Sequence, residues 1–167
     1  MAFYVSSSKL GVDLNTTSTT ALFALGETVE GSDGTLWEYV NASTSVSAYA
    51  IVAINASGTM AMASVADAVA GLQLAVAQNA FAASEYGWVP IRATGGATNQ
   101  MRVLCSGTMS GGNALYVGGR TGVCSIQVSS SATLHGVMVY GASGADHATV
   151  TSLACIVSWP KCNYSGA

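Results

Sequence analysis

Two histidines, His135 and His147, are the only side chains in the sequence suited to act as general bases near neutral pH. Hydrolytic catalysis needs such a base beside a nucleophile and an orienting group. Asp146 precedes His147, but consecutive residues of a strand point to opposite faces of the sheet, and no Gly-x-Ser-x-Gly turn presents a serine. We interpret Asp146 and His147 as part of a solvated turn and His135 as a hydrogen-bonded strand residue. We therefore predict no catalytic residues and no enzyme.

The four cysteines could bind zinc, form disulfides or remain thiols. They are Cys105, Cys124, Cys155 and Cys162. None belongs to a Cys-x-x-Cys pair, whereas zinc sites use closely spaced Cys and His ligands. Free cysteine is among the most buried residue types, so we predict buried reduced thiols. A bridge between Cys155 and Cys162 around Pro160 is sterically conceivable in an oxidising medium.

Clustered acidic residues and glycine pairs are further candidates for ligand sites. Four carboxylates lie in one short stretch: Glu27, Glu30, Asp33 and Glu38. They lack the ligand alternation of an EF-hand loop, and a lone carboxylate pair is weak support for a glycosidase. We interpret them as solubilising charges of one loop region. The glycine pairs at 111–112 and 118–119 are not followed by the Lys-Ser/Thr of a phosphate loop, so no cofactor and no metal are predicted.

The elements available to position any site are short β-strands, because short apolar stretches alternate with clusters of Gly, Ser, Asn and Thr. Asp33-Gly34 predicts a tight turn, and residues 55–58 predict a hairpin. Residues 71–78 fit a strand better than a helix, with a short helical turn at 64–69. The predicted strands lie in "TALFALG", "TLWEYVNA", "YAIVAIN", "GTMAMAS", "GLQLAVAQ", "GWVPIRA", "NQMRVLCSG", "ALYVGG", "GVCSIQVS", "TLHGVMVYGAS" and "ATVTSLACIVSW".

These strands predict one all-β domain over residues 20–160, a compact antiparallel β-barrel or β-sandwich of about ten short strands. Residues 1–19 carry runs of Ser and Thr without periodicity, so they predict an extended N-terminal arm. Residues 161–167 predict a short C-terminal tail.

The stretch "EYGWVPIRATGG", residues 85–96, combines a glycine, a tryptophan and a proline within one predicted strand. Gly87 leaves the backbone free of side-chain obstruction, and Trp88 can cover the core or a neighbour with a large apolar surface. Pro90 lacks an amide proton, so it should mark a bulge or an edge that cannot recruit further strands.

The low charge of the chain limits its possible partners. Only 8% of its residues are Asp, Glu, Lys or Arg, against roughly 25% in an average soluble domain. The best membrane candidate, residues 60–77, contains Asp67, and a charge near mid-span is costly. The N-terminus lacks the basic and apolar regions of a secretory signal. Five basic residues are scattered, which disfavours nucleic acid, so neither a membrane nor a nucleic-acid partner is predicted.

A surface with so few charges favours association, so we expect a homo-oligomer seated on a larger structure. Most of the aromatic side chains should pack in the core, and two or three should lie in an interface, where Trp and Tyr are enriched.

The order of the segments "LGETVEGSDGTLWEYVNAS", "YAIVAIN", "LQLAVAQNAFAASEYGWVPIRATGG" and "GNALYVGGRTGVCS" resembles the capsid decoration, or cement, proteins of tailed bacteriophages. The resemblance runs from about Gly26 to Gly122. It implies a β-rich homotrimer, assembled in the host cytoplasm, that sits on the outer surface of the virion and joins neighbouring major capsid proteins. The cysteine-bearing strands of residues 123–167 lie outside it.

Within this resemblance, "YGWV" is structural, with Tyr86, Gly87 and Trp88 as packing and turn residues and Pro90 as an edge stop. The structural and interface candidates are Trp37, Tyr39, Tyr86, Gly87, Trp88, Pro90 and Tyr116. The alternative is a receptor- or glycan-binding β domain of a phage fibre or surface appendage that stacks exposed Tyr and Trp on sugars.

Overall fold

The computed structural model describes residues 5–6, 9–93, 101–106, 115–117, 121–125, 132–140 and 151–164. It is 52% strand and 3% helix, which confirms the predicted all-β class. In chain order the elements are β1 (Val5–Ser6), β2 (Lys9–Leu10), β3 (Thr17–Ser18), β4 (Thr28–Glu30), β5 (Leu36–Ala42), β6 (Ile51–Ile54), β7 (Thr59–Met62), α1 (Val65–Val69), β8 (Gln73–Val76), β9 (Tyr86–Arg92), β10 (Met101–Ser106), β11 (Leu115–Val117), β12 (Cys124–Ser125), β13 (Ala132–Val139) and β14 (Thr151–Tyr164).

Five strands of the C-terminal half close into a barrel in the order β10-β12-β11-β13-β14, because β14 pairs with β10 as well as with β13. The β10–β12 pairing is parallel, and the other four are antiparallel. On β10, buried Met101, Val103 and Cys105 alternate with more exposed neighbours, as expected for a strand with one face toward a core. Side chains of β6 and β8 pack against the same core from the other half.

The N-terminal half forms a mixed sheet in the order β8-β6-β7-β5-β9. β5 runs parallel to β7 and antiparallel to β9. The edge of β9 away from β5 pairs with β3 near Tyr86 and Gly87, and with β14 where Arg92 lies opposite Ser158. The barrel and the sheet are therefore one continuous run of strands, joined where β14 meets β9.

The two central strands of the sheet, β5 and β9, are buried on both faces. Tyr39 and Trp88 lie in one apolar cluster, which also holds Leu14, and Val40 and Val89 lie in another. Successive residues of a strand point to opposite faces, so these strands separate an aromatic layer from an aliphatic one.

Four local predictions for residues 33–78 are confirmed. Gly34 has φ 77° and donates its amide to the carbonyl of Gly31 at 2.9 Å, which makes the tight turn between β4 and β5. The hairpin between β6 and β7 is held by Asn55, whose side-chain oxygen accepts the amides of Ser57 and Thr59 at 3.0 Å each. The helical turn is α1, and the strand predicted within 71–78 is β8.

The prediction that "TALFALG" is a strand is wrong, because residues 20–26 form a loop. The amide of Leu22 donates to the hydroxyl of Tyr39 at 3.0 Å, and the amide of Gly26 donates to the carbonyl of Tyr39 at 2.9 Å. The loop is thus fixed to a single residue of β5 at two points rather than to a ladder of backbone groups.

The predicted arm and tail are also smaller than expected. Leu14 is completely buried in the aromatic layer, and β3 pairs with β9, so residues 11–19 pack on the domain. At the other end β14 continues to Tyr164, which lies opposite Ala132. The burial of Leu14 and the pairing of residues 161–164 with β13 make these segments part of the fold. Residues 1–4, 7–8 and 165–167 lie outside the described part.

The structure decides between the two predictions for the cysteines. Cys105, Cys124 and Cys155 are buried and free, as predicted. Cys155 and Cys162 lie on β14 opposite Val139 and Leu134 of β13, which are five positions or roughly 16 Å apart at the rise of an extended strand. A disulfide requires Cα atoms only 4.4–6.8 Å apart, so the conceivable Cys155–Cys162 bridge is ruled out by the continuity of the strand.

Gly87, in the stretch of residues 85–96, is a glycine for a steric reason. A Cβ atom built on Gly87 would lie 2.6 Å from Cε1 of Phe81 and 3.3 Å from the carbonyl oxygen of Thr16. Glycine is therefore required by the close approach of its neighbours. Pro90 lies opposite Trp37, next to a register shift in the β5–β9 pairing. A bulge of this kind tolerates a residue without an amide proton.

Candidate binding cleft

An open cleft of about 510 Å³ lies beside the aromatic layer. It is lined by Gly11, Val12, Asp13, Thr16, Ser18, Leu22, Phe23, Tyr39, Tyr86, Gly87 and Trp88. Four of the seven residues predicted from sequence, Tyr39, Tyr86, Gly87 and Trp88, are therefore brought together at one site. They come from adjacent strands, because Tyr39 pairs directly with Trp88 in the β5–β9 register.

The floor of the cleft is a packed group of four aromatic rings. The ring of Tyr39 lies 5.0 Å from that of Trp88, 5.3 Å from that of Phe23 and 6.3 Å from that of Tyr86, measured between centroids. Phe23 also contacts Trp88 at 5.2 Å. These separations are those of stabilising aromatic pairs. Tyr39 and Trp88 are buried, whereas Phe23 and Tyr86 are only half-buried and keep part of their surface toward the cleft.

One wall of the cleft is the loop of residues 20–26, which we call the leucine loop. Its Phe23 reaches the aromatic floor, and its Leu22 lines the cleft while exposing 67% of its surface. Leu25 is 41% exposed but does not line the cleft. The two hydrogen bonds to Tyr39 hold the loop in this position.

A second part of the lining comes from residues 11–18, and we call its side chains Asp13, Thr16 and Ser18 the polar rim. The Oδ1 atom of Asp13 accepts the amide of Asn15 at 2.9 Å, and the backbone carbonyl of Asp13 accepts the hydroxyl of Thr16 at 3.2 Å. The Oγ atom of Ser18 accepts the amide of Thr20 at 3.1 Å. These local bonds shape the turn before β3, and they leave hydrogen-bonding capacity on the exposed carboxylate and on the serine hydroxyl.

The other three predicted residues lie outside the cleft lining. Trp37 is buried in the same aromatic layer, and Pro90 lies opposite it on β9. Tyr116 is half-buried on β11 of the barrel, where it pairs with Thr133 and Ser125. Tyr116 is therefore separate from the aromatic site.

Of the two histidines only His135 is among the described residues, and it does not line the cleft. His135 is an exposed residue of β13, opposite Lys161 and beside the register shift at Gly136. Asp146, His147 and the glycine pairs at 111–112 and 118–119 lie outside the described residues.

Glu38 corrects the view that the four carboxylates only solubilise a loop. It lies on β5, is 8% exposed, and its Oε2 atom accepts a hydrogen bond from Nε2 of Gln73 at 2.5 Å. Burial raises the pKa of Glu38, and the hydrogen bond from Gln73 partly offsets this effect. Burial penalises the charged form of a carboxyl group, so Glu38 is a cost of the folded state rather than a source of solubility.

Three thiols meet in the barrel core. Cys105 lies directly opposite Cys124 in the parallel β10–β12 pairing, and both belong with Cys155 to the same buried core. The neighbouring thiol of Cys124 raises the pKa of Cys105, and that of Cys155 partly offsets the effect; the thiol of Cys105, together with burial, raises the pKa of Cys155. Because the thiolate is the reactive form, we expect Cys105 and Cys155 to react slowly while the protein is folded.

Sequence reasoning missed Asp13, Thr16, Ser18, Leu22 and Phe23, because residues 1–19 were assigned to an arm and residues 20–26 to a strand. One signal was present. Asp13 stands two residues before Asn15, the spacing of an Asx turn in which an aspartate side chain accepts a backbone amide. That turn brings the polar rim onto the domain.

Comparison of the chain with protein-family models, with curated proteins and with solved structures gave no match. The resemblance to phage decoration proteins therefore remains a prediction. Within the described ranges, no helix has the length and apolar character needed to cross a membrane. The same ranges contain no group of three or more His, Cys, Asp or Glu residues placed to hold a metal ion.

Proposed function

We propose that this protein is a structural virion protein that binds the outer surface of a phage capsid as a homotrimer and cements neighbouring major capsid proteins. The observation that carries the proposal is the leucine loop. Leu22 and Leu25 lie three residues apart on one surface loop, and both are exposed. A surface loop that exposes two large apolar side chains is a candidate interaction site.

The charge content of the chain supports the same function. The sequence has five Lys or Arg and eight Asp or Glu among 167 residues. A contact made by such a surface depends on apolar burial and shape complementarity. Its affinity should therefore change little with salt, in contrast to a charge-led contact. The trimeric state and the capsid partner are inferred from the resemblance of residues 26–122 to phage decoration proteins.

The experiment combines a native mass measurement with binding to undecorated phage heads. We expect a trimer that saturates the heads, with similar affinity at low and high salt. Replacing both Leu22 and Leu25 by Ser should weaken binding at least tenfold, because a buried leucine contributes about 1.5–3 kcal/mol and about 1.4 kcal/mol is tenfold in affinity. Met138→Ser is the matched control, since Met138 is also exposed but lies on β13 of the barrel.

Two results would contradict the proposal. One is a protein that stays monomeric at high concentration and does not bind heads. The other is head binding that is unchanged by the double leucine substitution, which would separate the leucine loop from the capsid contact.

A further inference from the structure

The aromatic floor of the cleft exposes two of its four rings. Tyr39 and Trp88 are buried, whereas Phe23 and Tyr86 are half-buried and line the cleft. The ring of Tyr86 is stacked on that of Tyr39 with an angle of 16° between their planes, whereas the ring of Phe23 stands at 78° to that of Tyr39. The two half-buried rings therefore do not share a plane, and a ligand that stacks on Tyr86 needs a flat apolar face.

The polar rim adds hydrogen-bonding groups to the same cleft. Asp13 is exposed, and of its two carboxylate oxygens only Oδ1 has a hydrogen bond within the described residues. Its Oδ2 atom can therefore accept hydrogen bonds from a ligand. The hydroxyl of Ser18 accepts the amide of Thr20, which leaves its proton to donate. A matching ligand has hydroxyl groups around its edge.

The charge of the lining excludes several ligand classes. None of the described residues that line the cleft is Lys, Arg or His. Phosphate and sulfate groups are recognised by such cations or by helix N-termini, so an anionic ligand does not fit beside Asp13. A quaternary ammonium group needs aromatic faces arranged around an open space. Here the ring of Tyr39 is in contact with those of Phe23, Tyr86 and Trp88, and no such space is left between them.

We propose that the cleft binds a neutral saccharide, with one sugar ring stacked on Tyr86 beside Phe23 and its hydroxyl groups bonded to Asp13 and Ser18. A sugar ring has apolar C–H faces and a polar edge, which is the combination that the floor and the rim require. The volume of about 510 Å³ lies within the range of roughly 300–1,000 Å³ for small-molecule sites. This binding goes beyond the capsid role and does not depend on it.

The test uses the whole protein and four named probes: maltose, cellobiose, lactose and N,N′-diacetylchitobiose. Saturation-transfer NMR at millimolar sugar should show contact with at least one of them. Asp13→Asn should weaken that binding about tenfold or more, because it removes a charge-assisted hydrogen bond while the asparagine keeps the turn. Tyr86→Leu should weaken it similarly by removing the stacking surface.

Matched controls separate the cleft from the rest of the surface. Asp33→Asn changes an aspartate whose Oδ1 atom accepts the amide of Thr35 at 2.9 Å, the same local role that Asp13 has toward Asn15. Tyr116→Leu changes a half-buried tyrosine on the barrel. Both controls should bind the sugar as the unchanged protein does. If Tyr86→Leu fails to fold, the binding measured with Asp13→Asn tests the proposal by itself, since Asp13 is exposed and its replacement should not disturb the core.

Three results would overturn the proposal. They are no saturation transfer from any of the four disaccharides to the folded protein, sugar binding that survives Asp13→Asn, and binding of tetramethylammonium in place of the sugars. Failure here is distinct from failure of the capsid role, because Asp13→Asn leaves Leu22 and Leu25 intact and its binding to heads can be measured separately.

Discussion

Replacing Gly87 with alanine would place a methyl group inside the contact between β9, Phe81 and the turn before β3. The new Cβ atom would lie 2.6 Å from Cε1 and 3.1 Å from Cζ of Phe81, and 3.3 Å from the carbonyl oxygen of Thr16. In protein structures a Cβ atom essentially never lies within 3.0 Å of a non-bonded heavy atom. Phe81 is buried, and a ring in a packed core has little room to withdraw.

The expected loss of stability follows from two opposing effects. Overpacking a core costs about 1–3 kcal/mol, whereas replacing glycine with alanine recovers about 0.4–1 kcal/mol through the unfolded chain. We therefore expect Gly87→Ala to lower the free energy of unfolding by about 1–2 kcal/mol. For a chain of this size the melting temperature should fall by roughly 2–8 °C.

A double-mutant cycle with Phe81→Leu identifies the cause of the loss. Leucine lacks the ring atoms that the new methyl group of Gly87→Ala would meet. The double variant should therefore lose less free energy of unfolding than the two single variants lose in sum, by at least about 0.5 kcal/mol. Urea unfolding of the four proteins gives the coupling energy. The steric explanation is wrong if Gly87→Ala stays within about 0.5 kcal/mol of the unchanged protein, or if the two losses add.

Two further predictions concern buried titratable groups. Burial raises the pKa of Glu38 above its usual value. The folded state therefore favours the protonated carboxyl group, and the free energy of unfolding falls as pH rises through the folded pKa. Glu38→Gln should therefore gain stability relative to the unchanged protein between pH 4 and 7, as followed by urea midpoints; a difference independent of pH would contradict this. Because the pKa values of Cys105 and Cys155 are raised, a thiol reagent at pH 8 should label them only as fast as the protein unfolds. Mass spectrometry of the labelled peptides measures this rate, and rapid labelling of the folded protein would contradict the prediction.

Features coded by a few consecutive residues could be predicted from the sequence. The turn at Asp33-Gly34 and the hairpin at residues 55–58 depend on backbone preferences of Gly, Asp and Asn that neighbours do not change. The alternation of residues 71–78 was enough to favour a strand over a helix. The burial of Tyr39 and Trp88 follows from their large apolar surface.

Features that depend on distant partners could not be predicted. "TALFALG" has the composition of a strand, but its hydrogen bonds go to Tyr39, whose position is set by the pairing of β5 with β9. Leu14 stands among polar residues and gives no periodic signal, yet it fills the aromatic layer. Glu38 has Gln73 as a partner 35 positions away, and no local pattern indicates that pair.

The long last strand, β14, has a consequence for how the chain reaches its native state. It pairs with β10 and β13 in the barrel and meets β9 of the sheet at Ser158. All three partners precede it in sequence, and the contact with β9 joins residues 66 positions apart, 92 and 158. Contacts of such long range form slowly because a large loop must close first. During synthesis on the ribosome, the edges of β9, β10 and β13 that pair with β14 therefore stay unpaired until β14 emerges. Unpaired strand edges promote aggregation, so we expect the nascent chain to be most prone to aggregation just before β14 is complete.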